Sequence, residues 1–220
     1  MIKTQNLFDL SKSAAGEFIA SFGYPWLALK ELGGYFEYLC NSLNLSDYSS
    51  PAEFVFIHKS ADVSDSATIK GPCIIGAEST VRHCAFIRGN VLIGESCVVG
   101  NSTEVKNSVL FDKVQIPHFN YVGDSILGFG AHFGAGVITS NVKCDKTEVS
   151  IDFCGERIMT GMRKFGALVG DKTEVGCNSV LNPGTVIGRE SLIYPLSNVR
   201  GYVDEYSIYK SRAEIIGKVR

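Results

Sequence analysis

Every sixth residue between Val63 and Val105 is aliphatic: Val63, Ile69, Ile75, Val81, Ile87, Ile93, Val99 and Val105 follow one another without a gap. The pattern returns as Val169, Val175, Leu181, Ile187, Ile193 and Val199. A period of six matches neither the helical 3.6 nor the strand period of 2, and it points to a repeat architecture. A hexad has room for a short strand and a corner, and three hexads close one triangular turn of an all-β solenoid. Aliphatic columns then fill the prism interior, and parallel ladders at a coil spacing of roughly 4.8 Å satisfy the backbone. Helical βαβ crossovers, which take a dozen or more residues, are excluded by this spacing. The residue after the aliphatic one is often glycine (Gly76, Gly94, Gly100, Gly128, Gly134, Gly170, Gly176, Gly188). That suits a corner that packs tightly or adopts a backbone angle unfavourable to a β-carbon.

Around this frame the chain divides into residues 1–55, a helical cap or linker; 56–205, the solenoid; and 206–220, a tail that packs on the outside of the prism. Residues 108–141 keep a looser hexad with Leu127 and Phe133. From about 142 to 163 the repeat is lost, and KTEVSIDFCGERIMT alternates apolar and polar residues around Gly155, which predicts a projecting β-hairpin. Pro25 suits a helix start, and Leu29, Leu32, Phe36, Leu39 and Leu43 share one helical face. The expected place for that helix is over the first coil, whose strand edges need cover, a detached linker being the alternative.

Composition narrows the partners. A net charge of -2 gives no broad basic face, so neither nucleic acid nor an anionic membrane is an expected partner. No apolar run approaches the roughly 18 to 20 residues of a membrane span, and residues 1–10 lack the basic-then-apolar order of a signal peptide, so the expected compartment is the cytoplasm. Seven scattered cysteines without a C-x-x-C pair argue against a disulfide framework or zinc knuckle and read as small buried side chains.

The segment from Phe86 to Asn141, and above all PHFNYVGDS followed by FGAGVITSN, resembles the C-terminal acetyltransferase domain of the bifunctional GlmU family. The hairpin and GMRKFGALVGD are similar to its archaeal sugar-1-phosphate nucleotidylyltransferase branch, and YPWLALKEL to the connecting helix of those proteins. The resemblance implies a left-handed parallel β-helix of hexapeptide repeats, a handedness that the period alone does not fix. It also implies a homotrimer with composite sites, acetyl-CoA as cosubstrate, and a hexosamine 1-phosphate as substrate on the way to UDP-N-acetylglucosamine. On the matching positions His118 is the catalytic histidine. Arg88 and Lys106 engage the sugar phosphate, Tyr121 contacts the sugar, and Asn141 lies between sugar and acyl donor. His132 stands where the family has a sugar-binding Asn, and Lys143 and Lys146 match the basic residues after Asn141 imperfectly. No Gly-rich G-x-G-T-R loop precedes the repeats, so nucleotidyl transfer is not expected of these residues.

The chemistry is consistent with this assignment. An imidazole titrates near neutrality and suits removal of a proton from an attacking amine. The thioester is already activated, so no serine or cysteine nucleophile is needed. A backbone N–H near Ala135, in a Gly-lined corner that lets a ligand approach the main chain, is the expected donor to the oxyanion. Arg88 and Lys106 are one triangular turn apart, which puts them on one face at adjacent levels. For Arg163 and Lys164 a solvated turn competes with a coenzyme A contact. Two other functions stay open: a non-catalytic sugar-phosphate or nucleotide-sugar binding module, and, ranked low, a γ-type carbonic anhydrase. The latter requires three zinc-binding histidines, and the position five after His118 is Gly123, so no metal is expected.

Overall fold

The computed structural model describes residues 2–211 and 214–217. It is a left-handed parallel β-helix of about nine turns. Among the described residues three sheets form the sides of the prism. Sheet A contains nine strands and includes Cys73–Ile75, Val91–Ile93, Ser108–Leu110 and Ala167–Val169. Sheet B also has nine and includes Val98–Asn101, Gln115–His118, His132–Phe133 and Glu174–Val175. Sheet C has seven and includes Phe86–Ile87, Glu104–Lys106, Tyr121–Gly123 and Ile138–Thr139. The chain runs from A to B to C and back to A in every coil. The aliphatic columns line the interior: Ile75, Val81, Ile87, Ile93, Val99 and Val105 are buried, as are Val169, Val175, Leu181, Ile187, Ile193 and Val199.

The looser hexad of residues 108–141 has a simple geometric origin. In sheet B, Asp62 pairs with Thr80 and Thr80 with Val98, eighteen residues on each time; Val98 then pairs with Gln115 and Gln115 with His132, seventeen on. The missing residue is taken from the corner joining sheet C to sheet A, where Val105 and Leu110, and again Val122 and Leu127, are five apart as successive core residues. The next passage through that corner carries the insertion. Its strands Ser150–Phe153 and Glu156–Met159 form the expected antiparallel hairpin, turning at Cys154 and Gly155, both of positive φ. Val149 and Ile151 are buried, and Phe153 meets Tyr202 edge-on at 4.7 Å, so one hairpin face packs back on the late coils.

Tight packing, and not backbone angle, explains the corner glycines. None of the eight has positive φ; that conformation falls instead on polar or bulky neighbours such as Glu78, Ser96, Ser102, Lys172 and Glu190. A β-carbon at Gly76 would lie 2.5 Å from the Gly94 carbonyl oxygen, and one at Gly188 2.3 Å from the Glu205 nitrogen. These glycines therefore let one coil descend onto the next.

The N-terminal segment does not sit over the first coil. That edge is closed by Tyr48–Ala52, which pairs antiparallel with Val55–His58. Helices α1 (Thr4–Leu7), α2 (Gly16–Ala20) and α3 (Ala28–Ser42) lie against the outer side of sheet A instead. The reason is apolar area: Ile74, Leu92, Val109, Ile126, Leu168 and Val186 point outward from sheet A and are buried together with Leu29, Leu32, Phe36 and Leu39 of α3. Asp171 ties the segment down by accepting the backbone N–H groups of Asp9 (2.6 Å) and Phe129 (2.8 Å). Arg189 adds a bond to the Gln5 carbonyl at 2.8 Å. At the other end Ser207–Ser211 is a strand of sheet B, paired antiparallel with Glu214–Gly217. The segment expected as an outside tail thus begins within the solenoid, and its residues 212–213 and 218–220 lie outside the described ones.

The cysteines do not behave alike. Cys73 and Cys97 are buried, Cys40 is half-buried, and Cys84, Cys144, Cys154 and Cys177 are exposed. Cys84 and Cys154 occupy left-handed turn positions, where the side chain turns away from the core. Burial raises the Cys73 thiol far above its ordinary pKa and pushes Cys97 up to about 12. Iodoacetamide at pH 8 is therefore expected to modify the four exposed thiols of the native protein and to reach Cys73 and Cys97 only after denaturation, as peptide mass mapping would show. Native labelling of Cys73 at the rate of Cys84 would contradict the buried column.

Candidate active site

The residues singled out in the sequence fall into three places. Arg88, Lys106, Tyr121 and Asn141 come together on sheet C and its corner with sheet A. Glu104, Tyr121 and Ile138 stand in register on successive strands, with Phe86 one coil before them. Arg88 donates to the Glu104 carboxylate at 2.7 Å, and that bond holds the guanidinium still more firmly protonated. The Lys106 ammonium stands 3.8 Å from Asp124. Asn141 reaches back across the coil to give its Nδ2 to the Tyr121 hydroxyl, 3.3 Å, and to Asp124. Burial first, and then the charges of Asp124 and Glu104, raise the Tyr121 pKa. The phenol stays protonated at neutral pH and can donate.

His118 and Ala135 occupy a second place, the corner between sheets B and C, at the opposite edge of the same face. His118 ends the strand Gln115–His118, and its side chain is exposed, outside the prism. No hydrogen bond to its ring exists among the described residues, while its carbonyl accepts the Gly136 N–H at 3.0 Å from the next coil. Ala135 lies beside Gly136 and accepts the Asn178 N–H at 2.8 Å, but its own N–H has no acceptor among the described residues. A basic ring and a free backbone donor are thus set one coil apart. The separation from the Lys106 corner is about 10 Å, the rise of a three-residue strand.

His132 is in neither group. It faces outward from sheet B, and its Nδ1 lies 2.6 Å from the Glu174 carboxylate, its register partner one coil on. Within one chain it therefore points away from the wall that carries Tyr121. Lys143 bonds Thr147 Oγ1 at 2.6 Å and lines, with Ser140, Asn182, Pro183 and Arg200, a hollow of about 260 Å³ just beyond Asn141. A larger hollow of about 720 Å³ lies at the last coils between Arg157, Arg200, Asn198 and Lys210, apart from the predicted residues. Asp124 was not legible as a site residue. The signal was its place in PHFNYVGDS, directly at the shortened corner, but a lone Asp after Gly reads as a turn.

Several known proteins are similar to this chain. The profile of the GMPPB C-terminal domain matches residues 69–160. A bifunctional sugar-1-phosphate nucleotidylyltransferase/acetyltransferase of Sulfurisphaera tokodaii is 43% identical over 94 residues, 43% of this chain and 23% of that protein. The bifunctional protein GlmU of Methanococcus vannielii is 35% identical over 119 residues, 54% of this chain and 28% of that protein. The chain therefore spans about a quarter of the length of these curated relatives. Among solved structures, a putative acetyltransferase of Bacillus cereus covers 76% of this chain and 78% of its own, at 18% identity and a TM-score of 0.43. The perosamine N-acetyltransferase of Caulobacter crescentus covers 76% and 57%, at 16% identity and a TM-score of 0.35. By sequence, about half of this chain is similar to the C-terminal half of the GlmU proteins and of their archaeal bifunctional counterparts.

Proposed function

We propose that the chain is an acetyl-CoA-dependent N-acetyltransferase of hexosamine 1-phosphates, with glucosamine 1-phosphate as its first substrate. The observation that carries this reading is the single sheet C wall, with the cations Arg88 and Lys106 at one edge and, at the other, an exposed His118 whose ring has no hydrogen-bond partner among the described residues. The similarity to proteins named as sugar-1-phosphate nucleotidylyltransferase/acetyltransferases supports it. The sugar phosphate would displace Glu104 from Arg88. That ion pair is exposed on both sides, 43% and 34%, and such pairs contribute only about 0.2–1 kcal/mol, so the exchange is easy.

The amine nitrogen then attacks the thioester carbonyl carbon, and His118 takes the proton the nitrogen gives up. The Ala135 N–H faces the developing oxyanion. The C–S bond breaks, and the imidazolium returns its proton to the departing thiolate, leaving an acetamido sugar and free coenzyme A.

The site is read as composite, completed by a neighbouring copy in a homotrimer, where His132 and Glu174 of sheet B would meet the sheet C wall. Sheet A is already covered by the N-terminal helices. Apolar side chains stand exposed instead around the other two sides: Phe119 at 63%, Leu196 at 79% and Ile138 at 39%. No helix among the described residues is long and apolar enough to cross a membrane.

The test is incubation with acetyl-CoA and a panel of amino-sugar phosphates, with acetylated product measured by mass spectrometry. Transfer to glucosamine 1-phosphate is expected. Ligand-induced stabilisation without turnover on any member of the panel would decide for the binding module.

A further inference from the structure

We propose that Asp124 is a positioning residue of the transfer site, setting the hydrogen-bond polarity of Asn141 and the placement of Lys106. The inference rests on the function proposed above. Asp124 is 3% exposed and lies in a left-handed conformation (φ 49°) at the shortened corner that follows Gly123. The partners of its carboxylate among the described residues are all donors. Asn107 Nδ2 bonds its Oδ1 at 2.8 Å, Asn141 Nδ2 bonds its Oδ2, and the Lys106 ammonium is 3.8 Å away. Its own N–H goes to the Lys106 carbonyl at 3.0 Å, and its carbonyl takes the Gly166 N–H at 2.9 Å, so the backbone on both sides is pinned.

An ionised carboxylate accepts and cannot donate, so the Asn141 amide has one allowed orientation. Its Nδ2 turns inward to Asp124 and Tyr121, and its Oδ1 has no partner among the described residues and is not buried. Asn141 therefore offers the ligand an acceptor, suited to an N–H of the amino sugar or of the acyl donor. Asp124 touches no ligand and acts through Asn141 and Lys106. The same network reaches helix α3, because Asn107 Nδ2 also lies 3.4 Å from the Leu29 carbonyl.

The experiment is a double-mutant cycle of D124N and N141D in the full chain, read by steady-state acetyl transfer and by melting temperature. Asn at 124 can face Asn141 with either end of its amide, so the orientation of Asn141 is no longer dictated. D124N is expected to lower kcat/KM for glucosamine 1-phosphate about tenfold or more. N141D sets two carboxylates side by side and lowers activity further. The double variant restores a donor–acceptor pair of reversed polarity with an acceptor oxygen still at 141, and is expected to recover at least tenfold over N141D. Additive effects on kcat/KM, with coupling seen only in melting temperature, would reduce Asp124 to a structural role and overturn the inference. Wild-type kcat/KM in D124N would do the same. An inactive wild type would remove the proposed function and this inference with it, whereas an active wild type with additive variants removes the inference alone.

Discussion

Replacing His118 by alanine is expected to lower kcat for acetyl transfer by about 10² to 10⁴, the usual range for loss of a general base. KM for acetyl-CoA and for the sugar phosphate should stay within a few-fold. The residue is suited to such a test because its ring is exposed and has no hydrogen-bond partner among the described residues, so truncation leaves no buried group unsatisfied. The melting temperature should accordingly be close to that of the wild type. A variant that retains kcat within tenfold would remove His118 from the proton transfer. Attention would then turn to His132, the imidazole that already has a carboxylate, Glu174, at 2.6 Å.

The second large effect concerns the coil stacking beneath that histidine. A β-carbon at Gly100 would fall 1.5 Å from the Pro117 carbonyl oxygen and 2.0 Å from its carbon. Both are backbone atoms of the next coil, and neither can swing aside as a side chain would. Overpacking a core typically costs about 1–3 kcal/mol, and a backbone collision belongs at or above the top of that range. For a chain of this size, about 3 kcal/mol corresponds to a fall of roughly 6–12 °C in melting temperature. G100A is therefore expected to melt at least about 10 °C lower or to fail to accumulate as folded protein. Because His118 pairs in register with Asn101, any surviving G100A should also lose transfer activity. The control is G34A. Gly34 lies inside α3 with nothing within 4 Å of its virtual β-carbon, and alanine there should stabilise by about 0.8–1 kcal/mol. Equal melting of G100A and the wild type would show that the coils are not held as closely as described.

Much of the architecture was readable from residue types alone. The columns from Ile75 to Val105 and from Val169 to Val199 are buried where the period put them, because a solenoid repeats one local environment and each repeat restates it. The hairpin around Gly155 was readable for a related reason, since alternation and a turn residue are local signals. Four features were not. The glycines Gly76 and Gly100 serve the neighbouring coil, and a reading along the chain cannot weigh a clash with a residue seventeen or eighteen positions away. The cysteines divide by corner or core position, which composition does not reveal. The apolar face of α3 announced burial but not against what. Only the outward row from Ile74 to Val186 on sheet A decided that. Asp124 looked like a turn residue until three donors were found around it.

The order of aliphatic residues by itself determined the period, the triangular winding and the side chains that line the prism, because inward burial of one residue in six is a property of the local chain. The period also paired Arg88 with Lys106, one turn apart, but the tertiary structure alone decided which other polar residues share their wall. It brought Tyr121 and Asn141 to them, set His118 and Ala135 at the far edge of that face, and turned His132 onto another. That outcome depends on coil register, and register shifts by one residue wherever a corner is shortened, as it is after Lys106 and again after Gly123.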